Sequence, residues 1–134
     1  MKHVKDIAST FVVVDRQFAA DTVDVTDNLW AEIDERFGDF AGRTLISSFS
    51  FDEDWPTWEV HPHGDEFVCL LSGDAEMTLA LPDGDETVRL TEPGSFVIVP
   101  QGTWHTARVN APTTMLFVTP GQGTENRERP RREN

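Results

Sequence analysis

The sequence predicts an all-β domain of the barrel or sandwich type with one N-terminal α-helix. The chain has 134 residues, of which 38% are hydrophobic, and this length and composition suit one domain with a buried core. From Arg43 onward, short runs rich in Val, Ile, Thr, Phe and Leu alternate with turn residues. Their spacing of about 8–12 residues is typical of sandwiches and barrels. Before Arg43, one stretch has the spacing of an amphipathic helix.

Residues 1–42 are predicted to contribute a strand and a helix that pack on the barrel. The strand is the run FVVV at 11–14, which is rich in β-branched residues. The helix is expected within 24–38 and ends at Gly38, a residue type favoured just after the last helical turn. Its apolar side chains recur at helical spacing, at Leu29, Trp30, Ile33 and Phe37.

Residues 43–120 are predicted to form the barrel itself. Clusters of Pro, Gly, Asp and Asn separate the strands, and the pair Asp83-Gly84 is a signal for a tight hairpin. The expected strands lie near 43–51, 57–62, 66–72, 74–81, 86–90, 95–99, 104–109 and 115–119.

The formal net charge of -13 disfavours polyanionic partners. Nucleic acids and anionic membrane surfaces are bound mainly through Lys and Arg, so we expect neither as a partner. The last ten residues contain four arginines and no hydrophobic residue. Residues 121–134 are therefore expected to form a flexible basic tail.

The sequence also predicts a cytoplasmic protein. The single cysteine, Cys69, forms no internal disulfide, so nothing requires an oxidising compartment. The N-terminal MKHVKDIAST lacks the apolar stretch of ~7–15 residues found in signal peptides. No apolar run approaches the ~20 residues that span a bilayer.

Three of the four histidines lie beside strand and turn signals and form a candidate metal site. His61 and His63 are two residues apart on an extended segment, so alternation places both imidazoles on one face, as the ligands of one metal require. Glu66 follows after turn residues that permit a bend and return its carboxylate to the same side. His105 begins another predicted strand, just after a Pro-x-Gly turn.

Residues 61–73 read HPHGDEFVCLLSG, and residues 94–105 read GSFVIVPQGTWH. In order and spacing they resemble the two motifs of the cupin superfamily. The first motif is His-x-His, Glu, six residues and Gly, and the second is Gly, five residues, Pro-x-Gly, two residues and His. Two residues separate His63 from Glu66, where the family usually has three or four. The chain resembles a small single-domain member of that superfamily.

The resemblance implies a double-stranded β-helix, the cupin jelly-roll barrel, with a metal site. In it, His61, His63, Glu66 and His105 correspond to a set of three histidines and one carboxylate that holds one divalent transition metal. Fe, Mn, Ni, Zn, Cu and Co all suit such ligands, and affinity alone does not choose among them. The alternative is a metal-free cupin in which these residues are hydrogen-bonded polar groups inside the barrel mouth.

Glu59 is a further candidate, because alternation along the strand puts its side chain on the face of His61. It would then transfer protons or orient a ligand beside the metal. If the strand begins only at Val60, Glu59 is instead solvated.

The resemblance leaves more than one function open. The first is a metal-dependent enzyme, of the dioxygenase or isomerase type, that acts on a small neutral or apolar molecule in the barrel. Met77, Leu79, Leu81 and one face of 115–119 would line this apolar cavity, unless they are plain core. The alternatives are a non-catalytic protein that binds a small molecule and a metal-free structural cupin. A homodimer is expected in every case.

Overall fold

The computed structural model describes residues 3–128, which form eleven strands and one helix. All strand pairs are antiparallel, and no helix in this part of the chain is long and apolar enough to cross a membrane. The elements are β1 Thr10–Val14, β2 Ala20–Asp24, α1 Leu29–Phe37, β3 Thr44–Phe51, β4 Thr57–Val60, β5 Glu66–Ser72, β6 Ala75–Leu81, β7 Gly84–Leu90, β8 Phe96–Val99, β9 His105–Val109, β10 Thr113–Pro120 and β11 Glu125–Glu128. The predicted all-β class with one N-terminal helix is confirmed.

The strands form two sheets with a shared hydrophobic core. The first sheet has the order β2-β1-β3-β10-β5-β8, and the second has the order β11-β4-β9-β6-β7. Leu70 and Met115 of the first sheet pack in one buried cluster with Met77 and Ala107 of the second. From β3 to β6 and from β7 to β11, successive strands alternate between the two sheets. This arrangement is the predicted double-stranded β-helix.

The predicted barrel strands agree with β3 to β10 to within two residues at either end. The hairpin between β6 and β7 lies where Asp83-Gly84 predicted it, with Leu81 opposite Gly84. The agreement follows from the turn residues, whose local chemistry limits each strand.

The N-terminal part differs from the prediction in one element. Residues 20–24 form β2, which the sequence did not indicate because Val23 is the only buried residue of that strand. The helix lies within the predicted segment 24–38, begins at Leu29 after Asn28, and ends before Gly38 as predicted. Leu29 and Ile33 of the helix pack in a second cluster with Val23 and with β1.

The C-terminal part does not behave as a free tail from residue 121. Residues 125–128 form β11, which pairs along the whole of β4. The Arg127 guanidinium also lies 4.4 Å from the centre of the Trp104 ring. Strand pairing uses backbone groups, so it needs none of the apolar residues whose absence predicted a tail. The remaining residues of that predicted tail, 129–134, lie outside the described residues.

Candidate metal centre

Three buried polar side chains meet between the sheets. Glu66 begins β5, His105 begins β9, and His61 follows the end of β4. Their exposed fractions are 2%, 0% and 4% in that order. Glu66 Oε2 lies 3.1 Å from His61 Nε2, and Glu66 Oε1 lies 3.1 Å from His105 Nε2. One carboxylate therefore lies against both imidazoles.

The other ring nitrogen of His105 determines which tautomer the neutral ring adopts. His105 Nδ1 lies 3.0 Å from the carbonyl oxygen of Thr103. Because a carbonyl oxygen only accepts hydrogen bonds, Nδ1 carries the proton. A neutral His105 therefore presents the lone pair of Nε2 to Glu66.

His61 is oriented in the same way by a threonine. Its Nδ1 lies 2.9 Å from Thr124 Oγ1, and the Thr124 hydroxyl donates its own hydrogen to the carbonyl oxygen of Gly121 at 2.9 Å. The hydroxyl oxygen is therefore the acceptor for His61 Nδ1–H. The lone pair of His61 Nε2 faces Glu66 Oε2, which also accepts a 2.6 Å hydrogen bond from the Thr119 hydroxyl.

Two nitrogen lone pairs thus converge on a carboxylate. His61 Nε2, His105 Nε2 and Glu66 Oε1 are buried and lack a well-aligned hydrogen bond. Acceptors that face one another at this depth are costly unless a cation lies among them, either a metal ion or a proton on an imidazole. Histidines that donate their second N–H to a carbonyl or hydroxyl oxygen are the usual metal-ligand arrangement. The residues present fit a divalent metal.

Glu59 belongs to this cluster. In the register of β4 and β9 it lies directly opposite His105. One Glu59 oxygen and one nitrogen from each of His61 and His105 lie within 4.8 Å of one another. Because β4 begins at Thr57, Glu59 is a strand residue, as the metal-facing alternative required. A four-residue interval counted back from Glu66, as the cupin motif allows, would have indicated Glu59 and His61 as the candidate ligand pair.

His63 lies away from the cluster. It is exposed, and it lines a separate cleft of about 240 Å³ together with Arg16 and Arg43. The strand β4 ends at Val60, and the chain turns at Pro62 and His63, so alternation does not continue through the pair. The structure brings His61, Glu66 and His105 together and does not bring His63 to them.

Burial and mutual contact shift the pKa values of these groups. Burial, with a smaller effect from the Glu66 carboxylate, raises the pKa of Glu59. Burial alone would raise the pKa of Glu66, but its contacts with His105 and His61 outweigh burial and lower that pKa to about 2. Burial would lower the pKa of His105, but Glu66 outweighs it and raises that pKa. Glu66 is therefore a carboxylate at neutral pH, and Glu59 takes up a proton more readily than an exposed glutamate does.

A cavity of about 760 Å³ adjoins the cluster, and Glu59, His61 and Glu66 are among its lining residues. Of the residues expected to line an apolar cavity, Met77 and Leu79 are instead packed in the core, whereas 115–119 contributes two lining side chains. Six of the lining residues carry phenyl or indole rings, namely Trp30, Phe40, Phe49, Phe51, Trp55 and Phe117. The volume is in the range of small-molecule sites.

The fold and the buried histidine and glutamate cluster define a double-stranded β-helix protein with a candidate metal site. The model of the Cupin domain family matches residues 52–119, which is half of the chain. The chain belongs to the cupin family. No curated protein sequence matches it.

The chain is similar to several solved structures, and those with TM-scores above 0.5 share its fold. Oxalate decarboxylase from B. subtilis is 18% identical over 63% of this chain and 23% of its own, with a TM-score of 0.54. Oxalate oxidase is 12% identical over 60% of this chain and 44% of its own, with a TM-score of 0.53. Hydroquinone 1,2-dioxygenase from Sphingomonas sp. TTNP3 is 23% identical over 57% of this chain and 58% of its own, with a TM-score of 0.48. The chain matches less than two thirds of the length of each.

Proposed function

We propose that this cupin is a metal-dependent enzyme of the oxygenase or isomerase type, acting on a small molecule bound in the aromatic cavity. One divalent transition metal would be held by His61, His105, Glu66 and Glu59. The observation that supports this most strongly is the convergence of two Nε2 lone pairs on the buried Glu66 carboxylate. When bound, such a metal supplies Lewis acidity or, if it is redox-active, activation of oxygen.

The protein groups around the site position its ligands. Thr124 and the Thr103 carbonyl keep the two imidazoles in the Nδ1–H tautomer, and Thr119 holds one oxygen of Glu66. Trp55 packs beside His105 with ring centres 6.1 Å apart. These contacts fix the ligand side chains before a metal or substrate arrives, which lowers the cost of binding.

Glu59 is suited to proton transfer as well as to metal binding. Its pKa in the metal-free protein is raised by burial and by Glu66, and it lines the cavity in which the substrate would lie. A carboxyl group within reach of a bound molecule can donate a proton to it or accept one from it. Glu59→Gln would therefore lower turnover by about a hundredfold or more.

Metal analysis of matched variants tests the ligand set. We expect near-stoichiometric metal in the wild type after reconstitution, and its loss in His61→Ala and in His105→Ala. His63→Ala is the control, because His63 is exposed and lies apart from the cluster. Glu59→Gln should weaken metal binding more than His63→Ala does. If His63→Ala weakens metal binding more than Glu59→Gln does, the ligand set predicted from the sequence is the correct one. If the wild type binds no metal, the proposal is contradicted.

Oxygen consumption then separates the two reaction types. The Fe(II)-loaded protein would be supplied with candidate phenols, diketones and thiols while dissolved oxygen is recorded. Consumption that depends on substrate supports an oxygenase. Conversion of substrate without consumption supports an isomerase.

A metal-free small-molecule-binding cupin is the second candidate. The observation that favours it is the raised pKa of His105, because a proton on that imidazole also satisfies the contact with Glu66. In that case the cavity would bind ligand equally well after treatment with a chelator, and His105→Ala would not change the metal content.

We also propose that the protein is a cytoplasmic homodimer. Phe96 and Ile98 are exposed on β8, one of the two edge strands of the first sheet. The Phe96 ring is tilted by 37° against the Phe67 ring, with ring centres 4.9 Å apart. Exposed apolar side chains on an edge strand favour pairing with a second copy. Light scattering on the wild type and on a Phe96→Glu, Ile98→Glu double variant tests this, and a monomeric wild type would contradict it.

A further inference from the structure

We propose that the cavity beside the cluster binds an organic cation with an aromatic or similarly apolar body, such as a protonated alkylamine that carries an aromatic ring. This inference rests on the proposed function for the cavity's role as a substrate site. The proposed ligand is a cation, whereas the sequence led us to expect a neutral molecule. The difference comes from the charged residues that the fold brings to the cavity.

The charged residues of the cavity wall are all acidic, apart from His61. No Lys or Arg is present among the described residues that line it. Glu59 and Glu66 would be balanced by a bound divalent metal, because two carboxylates match two positive charges. The carboxylates that remain lie on the outer part of the lining, at Asp34, Asp39, Asp52, Glu53 and Asp54.

The aromatic walls point to the same class of molecule independently. Trp30 of α1 is 56% exposed, although tryptophan is usually more deeply buried. It lies almost parallel to Phe49, with an interplanar angle of 18° and ring centres 6.3 Å apart. Aromatic faces attract both flat apolar groups and cations, because the ring faces are electron-rich.

The charge pattern also disfavours anions. A carboxylate or phosphate compound would approach several negative side chains with no guanidinium or ammonium group to bind it. A cation gains attraction from the same side chains, and clefts lined by one sign of charge concentrate ligands of the opposite sign. The cavity therefore selects by charge at its rim and by aromatic contact on its walls.

Three probes that share a phenyl ring and differ in charge test this inference: 2-phenylethylammonium, 2-phenylethanol and 3-phenylpropionate. Binding would be measured by calorimetry on metal-free protein that carries Glu59→Gln and Glu66→Gln. A carboxylate probe would otherwise bind the metal directly, and the two inner carboxylates would otherwise attract the ammonium probe themselves. We expect the ammonium probe to bind about tenfold more tightly than the alcohol, and the carboxylate to bind most weakly. The preference should shrink at high ionic strength, because salt screens the exposed rim.

Charge-neutralising variants localise the effect. Asp34→Asn combined with Glu53→Gln should remove most of the preference for the ammonium probe. Glu86→Gln is the matched control, because Glu86 is an exposed carboxylate on β7 that does not line the cavity. Trp30→Ala should weaken the binding of the ammonium and alcohol probes alike, because the substitution removes an aromatic contact and does not change the charge.

The inference is overturned if the alcohol or the carboxylate binds as tightly as the ammonium probe, or if the ammonium probe does not bind at millimolar concentration. It is also overturned if Glu86→Gln changes the preference as much as the rim variant does. These results are separate from the metal titration. If the protein binds stoichiometric metal but does not prefer the ammonium probe, only this inference is wrong. If the protein prefers the ammonium probe but binds no metal, only the proposed function is wrong.

Discussion

Replacement of Thr124 by valine tests whether the orientation of His61 matters for metal binding. The Thr124 hydroxyl accepts a hydrogen bond from His61 Nδ1–H and donates one to the Gly121 carbonyl. Valine keeps the shape of the side chain and removes both hydrogen bonds. Without the acceptor, the proton is free to move to Nε2, the nitrogen that faces the metal position.

The magnitude follows from the role of such contacts. Removal of a hydrogen bond that orients a metal ligand typically costs 10–100-fold in metal affinity, which is about 1.4–2.8 kcal/mol. The metal-free protein should also lose about 1–2 kcal/mol of its free energy of unfolding, because two hydrogen bonds of ordinary strength disappear. The effect on metal affinity is the diagnostic one.

Competition between the protein and a chromophoric chelator for Zn(II) measures that affinity. Thr78→Val is the control, because the Thr78 hydroxyl also forms a 2.9 Å hydrogen bond, with Thr87, but lies on β6 away from the cluster. Denaturant unfolding of both variants, without metal, shows whether they lose comparable stability. Equal Zn(II) affinity in Thr124→Val and Thr78→Val would refute the assignment of Thr124 as the group that orients His61.

Three further outcomes are expected. Zn(II) at a hundredfold excess over its dissociation constant should raise the free energy of unfolding by about 2.7 kcal/mol, as measured by thermal unfolding, and His61→Ala should abolish the increase. The metal-free protein should lose about 3 kcal/mol as the pH falls from about 4.5 to about 2, because the Glu66 pKa is lowered to about 2 in the folded state. That contribution is fully present above the unfolded pKa, and Glu66→Gln should flatten this part of a denaturation series. Gly73→Ala should cost more than about 2 kcal/mol in denaturant unfolding, because Gly73 has φ of 106° and a Cβ there would collide with the Thr113 side chain and the Pro112 carbonyl.

Each of these outcomes has a clear contradiction. If Zn(II) still raises the free energy of unfolding of His61→Ala, the metal binds elsewhere. A denaturation series that keeps its slope in Glu66→Gln would assign the acid sensitivity to other carboxylates. For Gly73, the control is Gly38→Ala, because Gly38 also has positive φ but has open space around it. Equal losses in the two glycine variants would show that backbone conformation alone explains the effect.

The barrel strands were predictable because their signals are local. The turns at Asp83-Gly84 and after Val99 are set by residue types that limit a strand wherever it lies in the fold. Strands with few buried side chains were not predicted, because they lack the local pattern of alternating hydrophobic residues. In β2 only Val23 is buried, and β11 has no buried residue, so both strands exist because backbone groups find a partner strand.

The candidate ligand set shows the same division between local and long-range information. His61, Glu66 and His105 were found from their residue types and motif spacing, and the structure brings them together. His63 was chosen because alternation was carried through a segment that turns at Pro62. Alternation correctly placed Glu59 on the face of His61, but its position opposite His105 depends on the register between β4 and β9, which no local pattern gives.

The sequence by itself determined the class of fold, the two motif segments and the excess of negative charge. Hydrophobic alternation and turn chemistry depend only on residues that are neighbours in the chain, and net charge depends only on composition. Only the tertiary structure decided which side chains surround the candidate metal position and where the acidic residues gather. Those features depend on strand register and on contacts between residues far apart in the chain. Thr124 holds His61 across 63 residues, and no local pattern in the sequence carries that contact.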